Sequence, residues 1–163
     1  MDRIADIFDR LRQDHAVHRS LIERIAAISD DTEERRSLFE DFTREAKGHA
    51  AAEEQALYST VMRKPDLTSD ARHSVAEHKD IEDLLNDVAA TETGGEEWTE
   101  AFGELSHTYL HHIQEEEDEM FPHFEAHLSE DDAVWMKQVF DRRKVAEKSK
   151  AEVTPEKLEE AKQ

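Results

Sequence analysis

The chain has 163 residues, enough for one folded domain and a tail. Its 41 acidic residues against 21 basic ones give a formal net charge of -20, which argues against a phosphate-binding surface and so against nucleic acid as a partner. With no cysteine, disulfides, thiolate zinc sites, cysteine-ligated iron–sulfur clusters and thiol nucleophiles are all excluded.

Charged residues make up 38% of the chain, and 4 glycines and 3 prolines leave few turns, so a few long helices are expected. Helical periodicity starts at once: Ile4, Phe8, Leu11, His15, His18, Ile22 and Ile25 form one stripe at steps of three and four. Asp31 with Glu34 reads as a capping box for a second helix, whose inner face carries Phe39, Phe42, Ala46, His49, Glu53, Ala56 and Thr60 before Pro65. Thr68, Ser69 or Asp70 can cap a third helix with Val75, His78, Ile81, Leu85 and Val88 inward. The stretch from Thr91 to Gly95 is the clearest loop, and a fourth helix follows with Phe102, Leu105, Tyr109, His112, Glu116 and Met120. Ser129 can cap a short fifth helix with Val134, Trp135, Val139 and Phe140, and the rest, from about Arg143, reads as a frayed helix or solvated tail. The expected fold is all-α: an up-down-up-down antiparallel four-helix bundle over residues 1–125, with a short C-terminal helix and charged tail over 126–163. No apolar run approaches the roughly 20 residues of a membrane span, and the N-terminus is no signal peptide, so a cytoplasmic protein without a membrane partner is expected.

The first two helices resemble the next two at an offset of 63 residues, which carries His15 onto His78, His49 onto His112 and Glu53 onto Glu116. The same offset carries Ile22 onto Leu85, Phe39 onto Phe102 and Tyr58 onto Phe121. At 1.5 Å of rise per residue, His15 and His49 lie at similar heights from the first turn, as do His78 and His112 from the second. Each glutamate is one turn from its histidine on the same face. Four imidazoles and two carboxylates then converge at nearly one level inside the bundle. A lone core histidine is usually structural, but an uncompensated buried carboxylate costs several kcal/mol. No lysine or arginine is evident on these stripes at the matching level, so a dinuclear metal centre is the expected source of positive charge, with the glutamates bridging the ions.

The segments Asp14-His15, His49-Ala50-Ala51-Ala52-Glu53, Glu77-His78 and His112-Ile113-Gln114-Glu115-Glu116, closed by Met120-Phe121-Pro122, resemble the hemerythrin-like family, the HHE cation-binding domain. The resemblance covers about residues 1–125 and implies an oxo- or hydroxo-bridged pair of iron ions held by His15, His49, Glu53, His78, His112 and Glu116. It also marks a departure, because invertebrate hemerythrins use a fifth histidine from a His-x-x-x-His pair on the third helix, where this chain has Ser74. His73 is five residues before His78 and rotated off the ligand face. His18, whose counterpart is Ile81, is the candidate replacement, as a further ligand or a hydrogen-bonding neighbour of one. Tyr109, counterpart of Ala46, is expected to close the pocket, donate to a bound oxygen species, or ligate. His107 and His127 read as surface positions, His111 as a helix-interface or surface position, and Glu54, Glu115 and Glu117 as solvated or supporting carboxylates.

Imidazole with carboxylate suits iron, with zinc or manganese possible on chemistry alone. The leading expectation is a non-haem di-iron protein that binds dioxygen or NO for sensing, storage or stress response. The alternative is a di-iron oxidoreductase acting on peroxide or NO, or an iron donor for repair of damaged iron–sulfur clusters. A regulatory role through an unidentified protein partner, with the C-terminal segment as reporter, is a third.

Overall fold

The computed structural model describes residues 3–92 and 95–150; the middle of the expected 91–95 loop and the end of the expected tail lie outside the described residues. Five helices follow in order. They are α1 (Ile7–Ala26), α2 (Glu33–Glu53, continued by a π-turn over Glu54–Tyr58 and by Ser59–Val61) and α3 (Thr68–Ala90). Next come α4 (Glu96–Glu115, continued by a π-turn over Glu116–Met120 and by Phe121–Glu125) and α5 (Glu130–Lys150). The first four form two antiparallel hairpins, α1 with α2 and α3 with α4, packed as an up-down-up-down bundle. No strand occurs among the described residues.

Local chemistry sets the helix ends, and not always where the pattern placed them. Asp6 begins α1 through a reciprocal cap: its carboxylate accepts from the Phe8 and Asp9 amides, and the Asp9 side chain accepts from the Asp6 amide. Helix formation therefore starts after Ile4, which is 71% exposed, and Ile7 takes the buried place instead. Thr32, not Asp31, caps α2 by accepting from the Arg35 amide, while Asp31 pairs with Arg36. At α3 no side chain caps the start; Thr68 donates its hydroxyl to the carbonyls of Met62 and Lys64, satisfying the end of the preceding helix. Ser129 does cap α5, accepting from the Asp132 amide.

The π-turns are absent from the sequence reading. Each starts beside a buried glutamate and inserts one residue per turn, which rotates all that follows by about 100°. This is why Val61, fully buried, replaces the expected Thr60 on the inner face of α2.

The C-terminal helix is a larger element than expected: it runs 21 residues, Glu130–Lys150, past Arg143 where the tail was expected to begin. Ala133, Met136, Phe140 and Lys144 form its buried face against α2 and α1, while Trp135 points outward. Gly48 permits the approach, since a Cβ there would lie 3.1 Å from the Lys148 Cα. Lys148 also pairs with Glu45, and Lys137–Asp141 and Arg143–Glu147 pairs run along the helix surface.

The apolar core is divided. One part gathers Ile7, Phe8, Leu11, Leu57, Phe121, Phe124 and Phe140 at the open end of the hairpins. The other gathers Ile22, Phe42, Leu85, Phe102 and Leu105 at the end nearer the α1–α2 turn. Between them lies a layer of buried polar side chains.

Candidate metal centre

That layer contains all six residues expected from the repeat. His15 comes from α1, His49 and Glu53 from α2, His78 from α3, and His112 and Glu116 from α4, the most exposed being His78 at 8%. Glu53 spans two imidazoles on different hairpins: its Oε2 is 3.6 Å from His49 Nε2 and its Oε1 is 3.0 Å from His78 Nε2. Glu116 does the same with one oxygen, Oε1, 2.8 Å from His112 Nε2 and 3.8 Å from His15 Nε2. The His15 and His49 ring centroids are 5.2 Å apart, and those of His78 and His112 are 5.0 Å apart.

The outward nitrogens explain the orientation of the inward ones. His15 Nδ1 pairs with Glu117 at 2.7 Å, His49 Nδ1 with Asp14 at 2.8 Å, His78 Nδ1 with Glu54 at 3.2 Å and His112 Nδ1 with Glu77 at 3.0 Å. Asp14 and Glu77 correspond at the 63-residue offset, as do Glu54 and Glu117, so the supporting carboxylates obey the same repeat as the histidines. Each carboxylate accepts the Nδ1 proton and leaves Nε2 with its lone pair directed at the centre. The consequence is visible in the unpaired atoms: Nε2 of His15 and His49, both oxygens of Glu53 and Oε1 of Glu116 are buried without a hydrogen bond. Lone pairs facing lone pairs in an apolar core are costly unless a cation sits among them. The donor set therefore fits a metal.

Without an ion, protons supply part of that charge. Burial works against a charged imidazole, yet the carboxylate of Asp14, which accepts from Nδ1, and that of Glu53, 3.6 Å from Nε2, outweigh it at His49, raising its pKa to about 9. At His112 burial is likewise overcome, chiefly by Glu116, and the pKa rises to about 10. Glu53 is held well below the usual carboxylate range by His49 and His78 despite burial.

Several details depart from the repeat. Tyr58 donates to Glu116 Oε2 at 2.7 Å, whereas its counterpart Phe121 has no hydroxyl to offer Glu53. Glu53 thus keeps two free oxygens and Glu116 one, a difference the sequence reading missed although the Tyr/Phe pairing was in view. His18 is hydrogen-bonded through Nδ1 to Tyr109 OH at 2.5 Å, and its Nε2 faces Glu45 at 3.6 Å; it groups with His49 and Asp14, not with either glutamate of the centre. Burial lowers its pKa to about 4, so it is a neutral imidazole. Tyr109 packs edge-on against Phe42, and burial pushes its hydroxyl well above its ordinary range. Ser74 is buried and donates to Met120 Sδ, while His73, His107, His111 and His127 face solvent. No protein cation is evident near the site from the sequence; the structure brings three to its edge, and one of them, Arg19, holds Glu117 behind His15 at 2.9 Å. Arg10 at 2.5 Å and Lys144 at 2.9 Å both hold Asp14, behind His49. Lys144 was hidden because the segment that carries it reads as tail.

The family profile of the hemerythrin HHE cation-binding domain matches residues 6–124. The chain belongs to this family. Among curated proteins no sequence match is found. The hemerythrin HHE fold extends to a solved structure: the crystal structure of a hemerythrin HHE cation-binding domain-containing protein from Mycobacterium kansasii, an Rv2633c homologue, superposes with a TM-score of 0.79 at 20% identity. The superposition covers 90% of each chain, more than residues 1–125 could supply, so the likeness in fold reaches into α5. Membership in a cation-binding family and the buried His/Glu clusters together make this HHE bundle a metal-binding one. Among the described residues no helix is long and apolar enough to cross a membrane.

Proposed function

We propose that the chain is a cytoplasmic non-haem di-iron protein that binds a small diatomic ligand, dioxygen or NO, in its bundle core for sensing, storage or stress response. The observation that carries this reading is the set of inward Nε2 atoms and unpaired glutamate oxygens between two apolar cores. His15, His49, His78 and His112 would hold the ions terminally and Glu53 and Glu116 would join them. A pair of iron ions in a nitrogen-and-oxygen shell supplies redox chemistry and open positions for a small ligand. Phe42, Leu105 and Ile113 on one side and Leu11 and Phe121 on the other exclude bulk water from the layer. Asp14, Glu54, Glu77 and Glu117 keep each imidazole in the ligating tautomer.

The oxidoreductase alternative is favoured by the buried His18–Tyr109 pair, which can hold a proton at the tyrosine oxygen beside the centre. Metal analysis with optical spectra before and after exposure to dioxygen, NO or peroxide tests both readings. About two irons per chain and a stable, reversible adduct support ligand binding; rapid turnover selects the oxidoreductase. A metal-free protein of equal stability would sink both. Glu116→Ala should release metal, whereas Glu117→Ala should retain it with weaker affinity, by about 10–100-fold.

A further inference from the structure

The two halves of the bundle treat their equivalent outer carboxylates differently. Asp14, behind His49, lies under α5 and is met by two permanent cations, Arg10 and Lys144. Glu77, its counterpart behind His112, lies in the hairpin that α5 does not pack along. There the Nε2 of His73 is 3.2 Å from Glu77 Oε1 and 3.0 Å from Glu115 Oε1, and the Nε2 of His111 is 3.4 Å from Glu115 Oε2. His73 and His111 are 52% and 68% exposed. At the 63-residue offset, their places and that of Glu115 are taken in the first hairpin by Arg10, Gly48 and Ala52. One half thus has a fixed cation and two small residues that admit a helix; the other has two imidazoles and an additional carboxylate open to solvent.

We propose that His73, Glu77 and Glu115, with His111 at their edge, form a second, solvent-facing site for a divalent transition-metal ion, separate from the buried centre. The donor types are those of zinc-class ions: two imidazole nitrogens and two carboxylates drawn from adjacent helices. The spacing of three of them suits one ion. A tetrahedral shell with bonds of about 2.0–2.1 Å has edges of about 3.3 Å, and His73 Nε2 lies 3.2 Å from Glu77 Oε1 and 3.0 Å from Glu115 Oε1. His111 stands at the edge of this group, 3.4 Å from the other oxygen of Glu115. All four side chains are held on two packed helices, so no loop must reorganise to assemble the site. The overall charge of -20 further concentrates cations at the surface. Glu77 Oε1 also faces His112 Nδ1, so an outer ion and the orientation of His112 share one oxygen. That coupling rests on the reading of the buried centre, whereas the binding itself does not.

The test is Zn²⁺ titration of the full chain, with its buried metal in place, by calorimetry and equilibrium dialysis. The wild type should take up one Zn²⁺ per chain that His73→Ala/His111→Ala binds at least about tenfold more weakly. The control is His123→Ala/His127→Ala, which removes another exposed pair and should leave the isotherm unchanged. Identical isotherms for the wild type and His73→Ala/His111→Ala would overturn the proposal, as would an equal loss in the control, which would mean diffuse binding to an acidic surface. In Glu116→Ala the outer Zn²⁺ should persist even as buried metal is lost, so failure of one site is distinguishable from failure of the other.

Discussion

At the scale of single residues, one hydroxyl breaks the equivalence of the two halves. Tyr58 occupies one oxygen of Glu116, and Phe121 leaves both oxygens of Glu53 free. Tyr58→Phe would make the halves alike at this position and strand Glu116 Oε2 in the core. The expected outcome is a correctly folded protein whose metal-free form loses about 1.5–3 kcal/mol in urea unfolding, the range for a hydrogen bond to a charged group. A smaller loss should appear with metal present, because the freed oxygen then has an ion to face. The six central residues were legible because a repeat projects chemistry twice, and coincidence at one offset is hard to produce otherwise. Asp14 and Glu77 stand inside the same motifs and Glu54 and Glu117 one residue beyond them, yet only a structure shows that each one supports a histidine on another helix.

At the scale of elements, the helices themselves followed from periodicity, but two features did not. The π-turns have no composition signature, being set by where the chain must rotate to bring both a glutamate and the aromatic beyond it inward. The length of α5 was missed because its outer face is so charged that the sequence from Arg143 onward resembles a solvated tail, and its buried face includes a lysine. A lysine is buried there only because Asp14 and Glu45 receive it, at 2.9 and 3.0 Å. Replacing Lys144 with Met removes a charge from behind His49 and should lower metal affinity by about 10–100-fold while helix content is kept. Gly48→Leu drives a side chain into the Lys148 backbone and should destabilise the fold by about 1–3 kcal/mol, measured by denaturant midpoint, with α5 loosened before the bundle.

For the whole molecule, the proposed ligand set makes protons and metal competitors for the same nitrogens. His49 and His112 have pKa values of about 9 and about 10 in the metal-free fold, above the ordinary 6.5. Raised values mean that the stability these protons confer is complete below pH 6.5 and is lost as pH climbs through 9 and 10. The metal-free protein should therefore weaken across that window, while metal affinity rises through it as fewer protons must be expelled. Melting temperatures of the loaded and metal-free protein, compared from pH 6 to pH 10, should diverge as pH increases; parallel curves would show that these imidazoles are not the ones the metal occupies.

The division of the supporting carboxylates between hairpins also governs the order of assembly. Asp14 with His49 and Glu77 with His112 are pairs within a hairpin, made across one short turn. Glu117 with His15 and Glu54 with His78 join different hairpins, as does the reach of Glu53 to His78. Local hairpins close first on a folding chain, and distant contacts follow. Each hairpin can orient one histidine by itself, but the second is oriented only when the hairpins meet. Metal capture is then a clock for docking: helical signal returns early in refolding, and the ion enters at the moment the two halves become one molecule.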